Sequence, residues 1–424
     1  MKNKFLLITL LFFIQFSTAQ WVEQNIGQTN NLTSISAIND NITWVASTFR
    51  YIYRSTNGGT SWSTVYNSND GTYIIYCIYA ISTDTALFSV GSGGSMIKRT
   101  IDGGINWSTV QSFSSNRIRS IFMLSPNGIF IGDYPNATRW SIYKTNNSGN
   151  TWDSSGLFLA KLSDEITFNN SMAVIGSNIW FASNKNKIYH STDFGTTWQI
   201  QNPYWNSSNT MSNRFVWFNN LNNGITNVEN QFSYTTNGGN NWLPMQQQLS
   251  EAIVSGITGT GMKYWCSIDK KIYSTTNTGT NWVLEYTSPD AYFYNYFSKS
   301  RVGTCAWATR NNGGLSKGTN ITGISSIITE VPASYNLYQN YPNPFNPSTK
   351  IRFAVASNVK REMSNVKLVI FDILGKEIST LVNEKLKPGE YEVEWNASDY
   401  PSGVYFYRLI TDGFSDTKKM TLVK

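Results

Sequence analysis

Ser55-Thr56-Asn57-Gly58-Gly59-Thr60-Ser61-Trp62 decides how this chain is read, because five further copies of the same pattern follow it. They are Thr100 to Trp107 (TIDGGINW), Thr145 to Trp152 (TNNSGNTW), Ser191 to Trp198 (STDFGTTW), Thr235 to Trp242 (TTNGGNNW) and Thr275 to Trp282 (TTNTGTNW). The tryptophans fall at 62, 107, 152, 198, 242 and 282, in steps of 45, 45, 46, 44 and 40. A sustained period of this length marks blades or solenoid units that bury their apolar faces only against their neighbours.

Each position of the pattern has a local reason. A Ser/Thr hydroxyl or an Asp/Asn side chain can bond backbone N–H groups two or three residues on and fold a tight turn. The glycine takes a backbone angle that a Cβ would oppose. The tryptophan then buries a large ring at the start of the next strand. The residues assigned to this structural role are Asn57, Gly59 and Trp62; Asp102, Gly104 and Trp107; Asn147, Gly149 and Trp152; Asp193, Gly195 and Trp198; Asn237, Gly239 and Trp242; and Asn277, Gly279 and Trp282. The pattern resembles the Asp box, or BNR repeat, of β-propellers such as sialidases and sortilin-type receptors. Two copies carry a true Asp, at 102 and 193, and the others use Asn.

Between copies the sequence reads as short strands. Trp44-Val45-Ala46-Ser47 and Tyr51-Ile52-Tyr53-Arg54 precede the first box, and Trp180 to Ser183 and Ile188 to Ser191 precede the fourth. Four short strands per unit is the size of a propeller blade. After Trp282 the pattern weakens: Ala306 to Thr309 and Gly314 to Lys317 are followed by Gly318-Thr319-Asn320, with Ser325 where a tryptophan would stand. Trp21 lies 41 residues before Trp62 and supplies that missing ring. The expectation is a seven-bladed β-propeller over residues 20–325, with Trp21 closing the ring through an N-terminal strand that completes the last blade. Closure of this kind removes exposed sheet edges.

Composition agrees with an all-β chain. The 424 residues are 14% charged and 15% aromatic, with 31 Gly. Residues 1–19 read as a signal peptide: Lys2 and Lys4, an apolar Phe5 to Phe16, then Ser17-Thr18-Ala19. Its removal lowers the formal charge from +7 to +5, without a basic run, so nucleic acid is not an expected partner. No other stretch approaches the length of a membrane-spanning segment. Cys77, Cys266 and Cys305 are an odd number in an exported chain and read as buried small hydrophobes.

A Pro-containing linker, 326–335, leads to Asn340-Tyr341-Pro342-Asn343-Pro344-Phe345-Asn346-Pro347. Alternating strands separated by Gly- and Pro-containing turns follow, which predicts a small immunoglobulin-like β-sandwich over 336–424. With Phe371-Asp372-Ile373-Leu374-Gly375, Pro401-Ser402-Gly403-Val404-Tyr405-Phe406-Tyr407 and Lys418-Lys419-Met420, this segment resembles the type A C-terminal sorting domain of the type IX secretion system. The resemblance implies a bacterium of the Bacteroidota kind. It also implies Sec export through the periplasm, interaction with the type IX machinery through Tyr341, Pro342, Asn343, Pro344, Phe345, Asn346 and Pro347, and delivery to the outer-membrane surface or the medium.

The ring carries no distinctive catalytic constellation. The single histidine, His190, precedes a box and reads as a strand residue; no metal or cofactor is expected. In the families the boxes resemble, the turns lie opposite the ligand face. The ligand-binding candidates are therefore aromatic and arginine residues in the other connections: Tyr134, Arg139, Trp140, Tyr204, Trp205, Arg214, Tyr292 and Tyr294. Such residues suit a polysaccharide, glycoprotein or protein ligand. The expected role is a monomeric binding or adhesion module at the cell surface. The alternative is a glycoside hydrolase of the sialidase or xyloglucanase type, using a pair drawn from Asp133, Asp164, Glu165 and Asp290.

Overall fold

The computed structural model describes residues 20–424 except 49, 69–73, 92–93, 134–136, 205–212, 229–230, 250–253, 261–262, 276–280, 302–304, 320–324, 329–331, 333, 357–363, 387 and 398–399. The expected signal peptide lies outside the described residues. All regular structure among the described residues is β.

Residues 20–319 form seven antiparallel sheets. Their innermost strands, which number sheets 1 to 7 in chain order, are Leu32–Ala37, Ile74–Ala80, Arg117–Leu124, Thr167–Ile175, Asn213–Phe218, Val254–Thr260 and Tyr294–Lys299. Each of these packs beside the next, and the last packs beside the first, so the sheets close into a ring. Burial falls from the middle of a sheet to its rim. In sheet 1, Leu32–Ala37 and Thr43–Ser47 are buried throughout, Tyr51–Ser55 is partly buried, and Ser63–Asn67 is largely exposed. The Trp-Val-Ala type second strands are apolar because both of their faces meet neighbouring sheets.

The five described Asp/Asn-Gly turns share one hydrogen-bond pattern. The first hydroxyl donates to the Oδ1 of the Asp or Asn two residues on at 2.8–3.0 Å. It accepts the glycine N–H at 2.7–3.1 Å. The Oδ1 also accepts the N–H just before the tryptophan at 2.8–3.0 Å. The glycines have φ of 81 to 93°. Asn277 and Gly279 lie outside the described residues. The tryptophans link sheets: Trp107 Nε1 donates to the Val65 carbonyl at 2.9 Å, and Trp62 meets Trp307 edge-on at 6.2 Å.

Sheet 7 has an unusual origin. Its fourth strand is Gln20–Asn25, paired antiparallel with Gly314–Thr319 so that Trp21 lies opposite Gly318. Trp21 is buried, between Tyr286 of sheet 6 and Phe297 of sheet 7.

Sheet 3 departs from the four-strand expectation. It has three strands, Arg117–Leu124, Asn127–Asp133 and Ser141–Thr145. After Trp152 the chain turns instead of extending, because Asp153 Oδ1 accepts from the Ser155 N–H at 3.0 Å and the Ser155 hydroxyl at 2.8 Å.

The linker expectation is also corrected. Ser325–Ile328 is a strand that pairs with Gly389–Asn396 of the C-terminal region, so part of residues 326–335 belongs to that sheet. An unpaired edge there finds backbone partners more favourably than an extended linker would. The C-terminal region has two four-stranded sheets that share one core, built on Phe345, Ile351, Leu368, Trp395 and Tyr407. Of the Tyr341 to Pro347 motif only Phe345 is buried; its N–H donates to the Thr421 carbonyl at 3.0 Å. Tyr341, Pro342, Asn343, Pro344 and Asn346 are exposed, and Pro347 is partly buried.

Candidate functional site

In an antiparallel four-strand unit, the first-to-second and third-to-fourth turns lie on one rim of the ring. The second-to-third turns and the sheet-to-sheet connections lie on the other. The Asp/Asn-Gly turns therefore occupy one rim, and the candidate binding residues fall on the opposite one.

The structure divides those candidates. Arg139, Tyr204 and Tyr292 are exposed. Trp140 and Tyr294 are each 2% exposed and belong to the core, which removes them as ligand contacts. Trp140 packs edge-on against Phe181 and Tyr189, and the Tyr294 hydroxyl shares a 2.6 Å hydrogen bond with Ser316. Both border turn-rich sequence, but each faces an adjacent sheet and fills the space between blades. Tyr134 and Trp205 lie outside the described residues, and Arg214 is described only as part of the strand Asn213–Phe218. The structure adds Phe158 and Leu162 to the exposed apolar side chains of this rim, alongside Phe293. The sequence signal for Phe158 is the apolar run Leu157-Phe158-Leu159 beyond the third box, where the four-strand repeat predicts a strand.

The carboxylates considered for hydrolysis are engaged elsewhere. Asp133 is fully buried and accepts from Arg119 Nε at 2.9 Å. Glu165, also buried, accepts from Ser183 Oγ at 2.6 Å, Tyr189 OH at 2.9 Å and the Leu162 N–H at 3.1 Å. Burial pushes the Tyr189 phenol up and the neighbouring Lys161 ammonium down. Lys161 Nζ donates to the carbonyls of Leu162, Ser163 and Glu165, and so ties down the 153–166 connection. Asp164 pairs with Lys185 at the surface, and Asp290 pairs with Arg310 at 3.3 Å.

His190 is a structural residue. Its ring stacks on Trp180 at 4.5 Å and 8°, Nδ1 accepts from Gln201 Nε2 at 3.1 Å, and Nε2 donates to Asn178 Oδ1 at 3.1 Å. Burial lowers its pKa to about 4, which keeps it neutral. The three cysteines are buried, and burial raises the Cys77 thiol to about 12.

Two of the hollows in the ring bear on ligand binding. One, of about 300 Å³, lies on the axis and is lined by inner-strand residues of all seven sheets, among them Ile35, Ile121, Met172 and Trp217. Asn170 narrows it from a bulge in sheet 4, at φ 58°, where its Oδ1 accepts from Ser34 Oγ of sheet 1 at 3.1 Å. The other, of about 480 Å³, lies where sheet 3 lacks its fourth strand, between Gln111 to Asn116 and Arg139 to Tyr143.

Residues 339–423 match the family described as the secretion system C-terminal sorting domain. That domain marks proteins exported by type IX secretion to the cell surface or the medium, and it implies interaction with that machinery. No curated protein matches the chain. Among solved structures, YCF48 bound to D1 peptide is similar with a TM-score of 0.57 and 15% identity, over 70% of this chain and 96% of that one. YCF48 from Cyanidioschyzon merolae is similar with a TM-score of 0.57 and 15% identity, over 71% and 99%. The WD40 β-propeller domain of Doa1 is similar with a TM-score of 0.51 and 10% identity, over 70% and 97%. At these identities the likeness establishes the fold: the ring is a β-propeller. Among the described residues no helix is long and apolar enough to cross a membrane.

Proposed function

We propose that this chain is a type IX-exported seven-bladed propeller that binds a macromolecular ligand through the rim opposite its Asp/Asn-Gly turns, acting as a surface or released adhesion module. The supporting observation is the chemistry of that rim. Arg139, Phe158, Leu162, Tyr204, Tyr292 and Phe293 are exposed there. Exposed aromatic and arginine side chains are the groups that dominate macromolecular recognition. The glycoside-hydrolase reading has less support, since Asp133, Glu165 and Asp290 are each committed to an ion pair or a buried hydrogen-bond network.

The role of the C-terminal region in this reading is delivery: the exposed residues Tyr341, Pro342, Asn343, Pro344 and Asn346 engage the export machinery, and the region is removed once the ring reaches the surface. The full mature chain, probed on glycan and protein arrays, is expected to retain specific ligands, with retention reduced by Tyr204→Ala and Tyr292→Ala. Unchanged retention by both variants would move the site off this rim, and hydrolysis of an arrayed glycan would replace the binding reading by the enzymatic one.

A further inference from the structure

We infer that the vacancy in sheet 3 is a docking slot for the free carboxyl-terminal residue of an extended peptide, which deepens and rests on the binding-module reading above.

The slot is defined by backbone hydrogen bonding. On the outer edge of Ser141–Thr145, the Lys144 N–H donates to the Asp153 carbonyl at 2.8 Å and the Asp153 N–H donates back at 2.9 Å. Further along, the Trp140 N–H donates to the Leu159 carbonyl at 2.9 Å. Outward-facing backbone groups recur every second residue in a strand, so Ile142 also faces outward. Its N–H and C=O have no partner among the described residues, because 154–158 loops away between the two bridges. The other six sheets of the ring each have a fourth strand. Sheet 5, whose fourth strand is only Leu243–Pro244, covers its exposed edge differently: the Gln248 side-chain amide accepts the Phe232 N–H at 2.6 Å and donates to the Phe232 carbonyl at 3.2 Å. Sheet 3 has no such substitute at Ile142, and buried or half-buried backbone groups are rarely left unmet.

The surroundings select the occupant. Because the chain blocks both ends of the gap along the strand, a through-running strand does not fit; only a terminal residue does, with the residues before it leaving the sheet edge towards solvent. One residue placed opposite Ile142 would donate its N–H to the Ile142 carbonyl and accept the Ile142 N–H on its own carbonyl oxygen. If that residue is the last of its chain, the accepting oxygen is a carboxylate and the bond is charge-assisted. Arg139 lines the same groove, is exposed, and has no ion-pair partner among the described residues. Arg117, also exposed, adds a second cation at that end of the sheet, where the carboxylate opposite it, Asp133, is already bound to Arg119. The facing wall, Ser112, Ser114, Ser115 and Asn116, offers short polar side chains to a peptide backbone.

The test uses the full mature chain and fluorescein-labelled Ser-Thr-Val-Thr-Val with a free carboxylate, read by anisotropy. Its amidated twin and a twin N-methylated at the last residue change only the ligand, so neither disturbs folding of the protein. Binding of the free acid is expected, weakened roughly tenfold or more by amidation, by N-methylation and by Arg139→Ala, since each removes a charge-assisted or backbone bond. No binding of the free acid, or equal binding of all three peptides, would overturn the slot. If the arrays still show a ligand in that case, glycan or protein, only this inference falls and the binding-module reading stands.

Discussion

The indole N–H of Trp21 donates to the Glu285 carboxylate at 3.2 Å, joining residues 264 positions apart. Glu285 also accepts from Trp265 Nε1 at 3.0 Å, Ser274 Oγ at 2.7 Å and Lys263 Nζ at 2.5 Å. The strand Gln20–Asn25 is thereby fastened both to sheet 7, by backbone pairing, and to sheet 6, by this shared carboxylate. Trp21→Ala is expected to lower stability by about 3–5 kcal/mol, the range for deleting a buried aromatic. Trp21→Phe, which keeps a ring and loses the N–H, is expected to cost about 1 kcal/mol. Denaturant midpoints of the mature chain measure both, and an unchanged midpoint for the alanine variant would show that the strand is not a clasp.

A second fastening is ionic. Arg310, almost fully buried, pairs with Glu23 of the first strand and with Asp290, and Glu23 also accepts from Tyr286 OH at 2.8 Å and Ser316 Oγ at 2.6 Å. Arg310 is buried while Glu23 is partly exposed, so removing one member leaves the other without its charge partner at a cost of about 1–3 kcal/mol. Arg310→Met and Glu23→Gln should each destabilise, and the double variant should cost clearly less than the two together. Additive effects would show that the pair does not couple the strand to the ring.

The two acidic boxes make stability sensitive to acid. Asp102 is held at about 2 by the Asn106 N–H and side-chain amide and by Thr100. Burial raises Asp193, but hydrogen bonds from Thr197, Ser191 and Thr196 outweigh it and hold this carboxyl at about 2 as well. The unfolded value lies near 4. A depressed folded value means that the contribution is complete above pH about 4 and is lost as pH falls towards about 2. Asp102→Asn with Asp193→Asn should leave the melting temperature at pH 7 nearly unchanged, since Asn fills this position in the other turns. The same change should flatten the fall in melting temperature between pH 4 and 2, and an identical acid profile would refute the assignment.

Two glycines separate backbone strain from collision. Gly59 has φ 86°, and a Cβ there would lie 1.8 Å from Gln24 Oε1 and 2.8 Å from the Trp307 ring. Gly156 has φ 73° with nothing within 4 Å. Gly156→Ala should cost only the left-handed penalty, about 1 kcal/mol. Gly59→Ala should cost distinctly more, because it also pushes the N-terminal strand and sheet 7 away from the turn. Equal losses in thermal unfolding would place the whole effect in the backbone.

Removal of residues 325–424 should leave the ring folded but retained in the periplasm, because the export signal lies in the second core. Surface immunoblotting of cells expressing the truncated chain tests this, and normal surface delivery would contradict it.

Much of the ring was legible because its corners repeat. A hydroxyl, an Asp or Asn, a glycine and a tryptophan at fixed spacing answer to local turn geometry, and local geometry is written in neighbouring residues. The candidate site was less legible. Trp140 and Tyr294 stand in turn-bordering sequence as Tyr292 does, yet both are in the core while Tyr292 is exposed. Nothing local separates them, because burial depends on which ring fills the space between adjacent sheets. The sheet 3 vacancy was likewise hidden: the Trp152 box predicts a following strand, and one Asx turn at Asp153 removes it.

The sequence by itself determined the period, the turn chemistry and the sorting motif, since each depends on side chains only a few positions apart. The tertiary structure alone decided that Ser325–Ile328 pairs with a strand of the C-terminal region instead of linking to it, and that Glu285 serves two indoles at once. It also decided that Ile142 keeps an edge unpaired among the described residues. Those outcomes rest on contacts between residues tens to hundreds of positions apart, where the gain from satisfying a distant backbone or burying a distant ring outweighs what the local sequence prefers.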